Sequence, residues 1–158
     1  MIIRIGQGID FHRLEKGRDL WLGGIKIPSV KGCMAHSDGD VLLHAICDAL
    51  LGAAGLQDIG YYFPDSSEEY KNIDSKIILK KSYKLINDKG FKVINIDSTV
   101  CLENPKISPF NQEMRRVISS IVETDPDNIA IKATTTEKLG FTGREEGIVA
   151  IGVVLLMK

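Results

Sequence analysis

The chain has 158 residues, 44% of them hydrophobic and 26% charged. That size and composition fit one globular domain over residues 1–158 with a core of its own, and exclude a disordered or fibrous chain. Its 21 acidic and 20 basic side chains nearly cancel, so no basic face for nucleic acid is expected.

The opening MIIRIGQGID lacks the basic-then-apolar pattern of a signal peptide. Ile2 to Ile9 is short and β-branched and predicts a strand. Asp19 to Ile27 alternates around Gly23-Gly24 and predicts a second strand or hairpin arm, followed by a loop from Ser29 to Ser37. Ser37 or Asp38 is suited to cap a helix. In that helix Leu42, Ala45, Ile46, Ala49, Leu50 and Ala53 form one apolar stripe, and Gly52 or Gly55 closes it. Asp58 to Glu69 is polar and predicts a surface loop. Asp74 to Asp88 predicts a second helix closed by Gly90, and Phe91 to Leu102 a strand. Ser108 to Glu123 predicts a third helix with Pro109 in its first turn. Asn128 to Thr134 reads as a strand, Thr135 to Gly147 as a loop and Ile148 to Met157 as the last strand. Strands and helices alternate, as in a mixed sheet covered by helices, an α/β (α+β) fold.

The last strand shows no polar alternation, so both of its faces must be dry. Helices can cover one face of a small sheet, and a second copy of the chain is the expected cover for the other. The apolar run from Ile148 to Met157 is also far too short to cross a membrane, so no membrane partner is expected. Cys33, Cys47 and Cys101 are too scattered for a disulfide framework or a cysteine metal site. Unpaired thiols fit the cytoplasm or a plastid-type organelle matrix.

All three histidines, His12, His36 and His44, lie in the first 44 residues, each beside acids. Asp10 and His12 point the same way if the chain there is extended. His44 falls on the helix face opposite the Leu42/Ala45/Ala49 stripe, one turn from Asp40 and from Asp48. Either acid is placed to hold its other ring nitrogen. Asp10, His12 and His44 then make three nitrogen and oxygen ligands for zinc, with a fourth position left for water or substrate, the pattern of a catalytic site. Any one of these histidines alone is more often a surface hydrogen-bonding group.

Gly6-Gln7-Gly8 lacks the third glycine of a dinucleotide fingerprint and reads as a tight turn or a close approach to a ligand. Asp58-Ile59-Gly60 and Phe63-Pro64-Asp65 put two acids in one loop, either solvated or binding a polyol. Lys132 to Lys138, with Ala133, Thr134, Thr135, Thr136 and Glu137, sits at a strand end. It is either structural or a place for phosphate and a hard cation. Arg144 between glycines is either a loop residue or a phosphate ligand. Asn104-Pro105-Lys106 is either a strand stop or backbone exposed to a base edge.

Taken together these blocks resemble the 2-C-methyl-D-erythritol 2,4-cyclodiphosphate synthase family. Gly6-x-Gly8-x-Asp10-x-His12-Arg13 comes first. Ala35-His36-Ser37-Asp38-Gly39-Asp40-Val41-x-x-His44 and Asp48-Ala49-Leu50-Leu51-Gly52 follow, then Asp58-Ile59-Gly60, Phe63-Pro64-Asp65 and Lys132 to Arg144. They keep the family's order over nearly the whole chain. The resemblance implies a four-stranded mixed sheet with helices on one face and a homotrimer built through the other, with active sites between subunits.

It also implies conversion of 4-diphosphocytidyl-2-C-methyl-D-erythritol 2-phosphate to the cyclic diphosphate with loss of CMP, in non-mevalonate isoprenoid biosynthesis. Asp10, His12 and His44 would hold zinc or another divalent transition metal, and Glu137 magnesium or manganese. Thr134, Thr135 and Thr136 would meet the diphosphate, and His36 and Ser37 the 2-phosphate. Asp58 and Asp65 would hold the erythritol hydroxyls, and Gly60 and Phe63 would also contact the substrate. Asn104, Pro105, Lys106 and Ala133 would take the cytosine, with Phe141 and Arg144 at the trimer's central channel. Two other readings of the same residues are a zinc phosphohydrolase and a non-enzymatic trimer that binds an isoprenoid diphosphate.

Overall fold

The computed structural model describes residues 1–64 and 66–158, so Asp65, one of the two loop acids, lies outside the described residues. In chain order the strands and helices are β1 (Ile3–Lys16), β2 (Leu20–Leu22), β3 (Ile25–Ile27), β4 (Lys31–Met34), α1 (Val41–Ala53), α2 (Ile59–Tyr62), α3 (Ser75–Asp88), β5 (Lys92–Cys101), α4 (Asn111–Ile121), β6 (Ile129–Thr134), α5 (Gly140–Gly143) and β7 (Gly147–Met157). Five strands form one mixed sheet in the order β4-β1-β7-β5-β6, and β2 and β3 form a separate hairpin. Only β5 and β6 run parallel.

The sheet therefore has five strands, one more than the family resemblance implies. The extra strand is β4, inside the segment expected to be a loop. It pairs Lys31–Met34 with Lys16–Arg13 at the sheet edge. A four-residue edge strand needs no apolar alternation, so it left no pattern to read. The first strand likewise runs well past Ile9. Its polar second half is held by antiparallel pairing, with Asp10 opposite Ala150 and His12 opposite Ile148. The expected loops at Asp58–Glu69 and Thr135–Gly147 contain the short helices α2 and α5.

Helix α1 starts later than expected and is not amphipathic. Every residue from Val41 to Leu51 except Asp48 is buried, because the helix lies between the sheet and α3. Its cap is Asp40, not Ser37 or Asp38: Asp40 Oδ1 accepts from Leu43 N at 3.0 Å. The same fully buried carboxylate accepts from Gly23 N at 3.0 Å and Gly24 N at 2.6 Å. One side chain thus ties the helix start to the turn of the β2–β3 hairpin, whose two glycines adopt φ of 61° and 82°. Burial outweighs these donors and the Asp40 carboxyl is pushed up to about 6, with the nearby Asp38 adding to the rise.

The decisive packing contact is between β1 and α1. Even-numbered β1 residues face the helix. A Cβ on Gly6 would collide with the Ala49 carbonyl oxygen, and one on Gly8 with the Ala45 carbonyl oxygen and, at 2.8 Å, the Ala49 nitrogen. The Gly6-Gln7-Gly8 pair thus admits a helix backbone, not a tight turn or a ligand. The odd-numbered residues point the other way. Ile3, Ile5, Ile9 and Phe11 are exposed, Ile5 at 72%, beside Ile151 of β7. In a single chain the β1 and β7 part of this face carries exposed apolar side chains, while its β5 and β6 part carries the Asp97–Lys132 ion pair.

Gly8→Ala is expected to lower unfolding free energy by about 3 kcal/mol or more, since neither backbone can yield, as read by urea titration. Asp40→Asn tests the buried carboxylate. A folded value of about 6 against an ordinary 3.8 means its contribution is complete below about pH 4 and lost as pH rises through 6. The stability of the wild type relative to the variant is expected to fall by about 3 kcal/mol between pH 3 and pH 7. A difference that does not change across that window excludes this role.

Candidate metal centre

Asp10 and His12 extend from the helix-facing side of β1, and His44 from the first turns of α1. Their ligand atoms form a triangle. His44 Nδ1 lies 3.1 Å from Asp10 Oδ2, His12 Nε2 lies 3.2 Å from Asp10 Oδ2, and the two ring nitrogens are 3.2 Å apart. The rings meet edge to face at 84°. Tetrahedral bonds of about 2.0–2.1 Å put neighbouring ligand atoms roughly 3.3 Å apart, so the triangle has the edge length that zinc requires. Two imidazoles with nitrogens aimed at each other and at one carboxylate oxygen have no better common partner than a cation. Among the described residues this is the one such group of three potential ligands.

The electrostatics point the same way. Burial lowers the His12 ring below the ordinary histidine value, against the opposing pull of Asp10. Burial also acts downward on His44, but the hydrogen bond and charge of Asp10, joined by Asp40 and Asp38, outweigh it and hold that ring above its ordinary value. Asp10, Asp38 and Asp40 thus surround the two rings with negative charge, which a divalent ion would neutralise on displacing the proton held at His44.

Asp10, His12 and His44 line a cavity of about 330 Å³ together with His36, Ser37, Gly60 and Phe63, all expected site residues, and with Tyr70, Ile73 and Ile78. That volume suits a small polar ligand. His36 Nε2 is buried there without a hydrogen-bond partner among the described residues, an acceptor or donor left for something in the cavity. Asp58 caps α2 through Tyr61 N at 3.0 Å.

A separate cavity, of about 310 Å³, is lined by Pro105, Lys106, Ala133, Thr134 and Thr135 with Leu102, Glu103, Ile107 and Ser108. Asn104 borders a third, beside Pro105, Val30 and Lys31. Glu137, with φ of 53°, accepts from Thr135 Oγ1 at 3.3 Å. Thr136 is held by Glu103 Oε1, which accepts from Thr136 N and Lys138 N, both at 3.2 Å. Phe141 packs 6.2 Å from Phe11, centroid to centroid, and Arg144 forms a two-pronged pair with Glu146. One chain thus places His36, Ser37, Gly60 and Phe63 in the cavity of the metal-side group, and Pro105, Lys106, Ala133, Thr134 and Thr135 in a second cavity as a base-side group, while Asp58, Asn104, Thr136, Glu137, Phe141 and Arg144 line neither.

A profile of the YgbB family matches residues 3–157. The chain belongs to this family. A Bacteroides fragilis relative named 2-C-methyl-D-erythritol 2,4-cyclodiphosphate synthase is 58% identical over 156 residues, covering 99% of this chain and 98% of its own. The bifunctional IspDF of Campylobacter jejuni superposes with a TM-score of 0.94 at 45% identity over 98% of this chain, which spans 42% of that longer protein. The Plasmodium falciparum IspF–CDP complex superposes with a TM-score of 0.86 at 37% identity, over 98% of this chain and 96% of its own.

Against this family frame, two expectations about His44 change. Neither Asp40 nor Asp48 holds its second nitrogen. Asp40 is spent on Gly23, Gly24 and Leu43, and Asp48 accepts from Ile59 N at 2.8 Å. His44 Nε2 meets Ser75 Oγ at 2.9 Å and Ser37 Oγ at 3.4 Å. Ser75 escaped the sequence reading because Asp74-Ser75 looks like an ordinary helix start, and nothing local marks a partner 31 positions away.

Zinc titrated into metal-free protein is expected to bind at one ion per chain and raise the melting temperature. His44→Ala should weaken that binding about 100-fold or more, by calorimetry or chelator competition.

Proposed function

We propose that this member of the YgbB family is a 2-C-methyl-D-erythritol 2,4-cyclodiphosphate synthase, acting over residues 1–158 as one domain and classed as a phosphorus-oxygen lyase. The carrying observation is the Asp10, His12 and His44 triangle at the mouth of a small cavity, in a chain 58% identical to a synthase of that name. The substrate would be 4-diphosphocytidyl-2-C-methyl-D-erythritol 2-phosphate. Its 2-phosphate oxygen forms a bond to the β-phosphorus, the bond from that phosphorus to the bridging oxygen of the α-phosphate breaks, and CMP leaves with the electron pair.

Zinc or another divalent transition metal at the triangle, with magnesium or manganese at Glu137, would neutralise phosphate charge and polarise the oxygens of the reacting phosphorus. The chain's own residues supply position. Ser37 and the unpartnered His36 Nε2 offer polar contacts to the attacking 2-phosphate. Gly60 and Phe63 line the cavity that would take the erythritol, and Asp58 and Asp65 join them by family resemblance. Thr134, Thr135 and Thr136 are set to meet the diphosphate, and Asn104, Pro105, Lys106 and Ala133 the cytosine. No protein nucleophile is needed, because phosphoryl transfer of this kind is governed by alignment and charge.

A homotrimer completes the reading. The uncovered face bearing Ile3, Ile5, Ile9, Phe11 and Ile151 supports assembly through the sheet. Assembly would bring the metal-side group of one chain to the base-side group of the next, and Phe141 and Arg144 to a shared axis. No described helix is long and apolar enough to cross a membrane.

Purified protein with magnesium and this substrate is expected to yield CMP and the cyclic diphosphate in equal amounts, from particles of three chains by light scattering. In ¹⁸O-water the product should carry no label. Label in the product would establish a phosphohydrolase instead, and ligand binding without CMP release a non-enzymatic trimer.

A further inference from the structure

His44 has two ring nitrogens, and only Nδ1 faces Asp10 and His12. Nε2 is turned into the protein, onto the hydroxyl of Ser75 at 2.9 Å. Ser75 is the first residue of α3 and is fully buried. Its hydroxyl donates to Asp38 Oδ1, and its backbone N–H donates to Asp38 Oδ2 at 3.0 Å. Asp38 is fixed in turn by its own N–H, which donates to Ile73 O at 3.1 Å. The second serine near Nε2, Ser37, is farther away at 3.4 Å, and its oxygen also accepts from Gly39 N.

The direction of each bond in this chain follows from its far end. An ionised carboxylate only accepts. The Ser75 proton must therefore point at Asp38, which leaves the lone pairs of that oxygen facing Nε2. A lone pair on Nε2 would then oppose a lone pair on oxygen in a buried contact, so Nε2 is favoured as the protonated nitrogen. In a neutral imidazole that leaves Nδ1 bare. Asp10 pulls the other way when no metal is present, because its carboxylate attracts a proton to Nδ1. The Asp38–Ser75 pair opposes that pull from the far side of the ring.

We propose that Asp38 and Ser75 are positioning residues that select the His44 tautomer with Nε2 protonated, so that Nδ1 is available as a metal ligand at little cost. This rests on reading Asp10, His12 and His44 as a metal centre. It adds that the start of α3 is part of that centre although it touches no ligand atom. Sequence spacing offers Asp38 only as a cap for the first helix, and places Ser75 in the second helix with no role of its own.

The test reads tautomers directly, by long-range ¹H–¹⁵N correlation of the imidazoles in metal-free protein at alkaline pH, where the rings are neutral. The share of His44 protonated at Nε2 is expected to be largest in the wild type and to fall in Ser75→Ala. In Asp38→Asn the new amide can donate to Ser75, which turns the hydroxyl proton onto Nε2 and shifts the ring toward the Nδ1-protonated form. Zinc affinity by chelator competition should drop 10- to 100-fold in both variants. Ser75→Thr, which keeps the hydroxyl, should hold both values near the wild type.

An unchanged tautomer share in Ser75→Ala and Asp38→Asn, with zinc affinity within about twofold of the wild type, overturns the proposal. So does a wild-type ring protonated mainly at Nδ1, a result that needs no variant to fold. The tautomer is measured without metal. A wild type that responds as expected but binds no zinc therefore refutes the metal reading and leaves the relay standing.

Discussion

The closeness of helix α1 to strand β1 is the constraint on which the rest of the molecule depends. Two glycines on the strand let the carbonyl oxygens of Ala45 and Ala49 lie against its backbone. His44 precedes Ala45, and Asp10 and His12 follow Gly8 on the same side of the strand. The atoms of the triangle meet because the elements carrying them are in backbone contact, with no side chain between to act as a spacer. A scaffold this tight places ligands to within a fraction of an ångström without relying on flexible side chains.

Around that contact, acidic residues that look alike in sequence have distinct work. Asp10 faces the two imidazoles. Asp40 is buried and holds three backbone N–H groups from the hairpin and the helix. Asp48 receives Ile59 N and so fixes the segment bearing Asp58 and Gly60. Asp38 binds the start of α3. Only one of the four is a candidate metal ligand, and the other three are kept from that role by the backbone donors they satisfy. Charge density near the centre is high while its competition for the cation is low.

Much of this was legible in the residues. Helices α3 and α4 and strands β5, β6 and β7 lie within a few residues of their expected spans, because each has a legible apolar pattern and a marked end. The Asp10–His12 alternation was readable because an extended strand has a period of two. The start of α1 was not, since Ser37, Asp38 and Asp40 are all competent caps. The choice among them is made by Gly23 and Gly24, far upstream in sequence. Strand β4 was invisible because an edge strand of four residues carries no periodicity. The partner of the second His44 nitrogen, expected to be Asp40 or Asp48, is Ser75 for a related reason. Helical counting set His44 opposite an apolar stripe, but α1 is enclosed on nearly every side, so that face meets α3 and not solvent.

Strand β1 has no idle side. Between Ile3 and His12, even positions carry the two glycines and two of the three candidate ligands, and odd positions carry the exposed Ile3, Ile5, Ile9 and Phe11. Inserting or deleting one residue there would exchange the two sets, turning the carboxylate and imidazole outward and driving isoleucines into the helix. The segment can drift by substitution but not in length, and its span should be the most rigidly kept dimension of the chain.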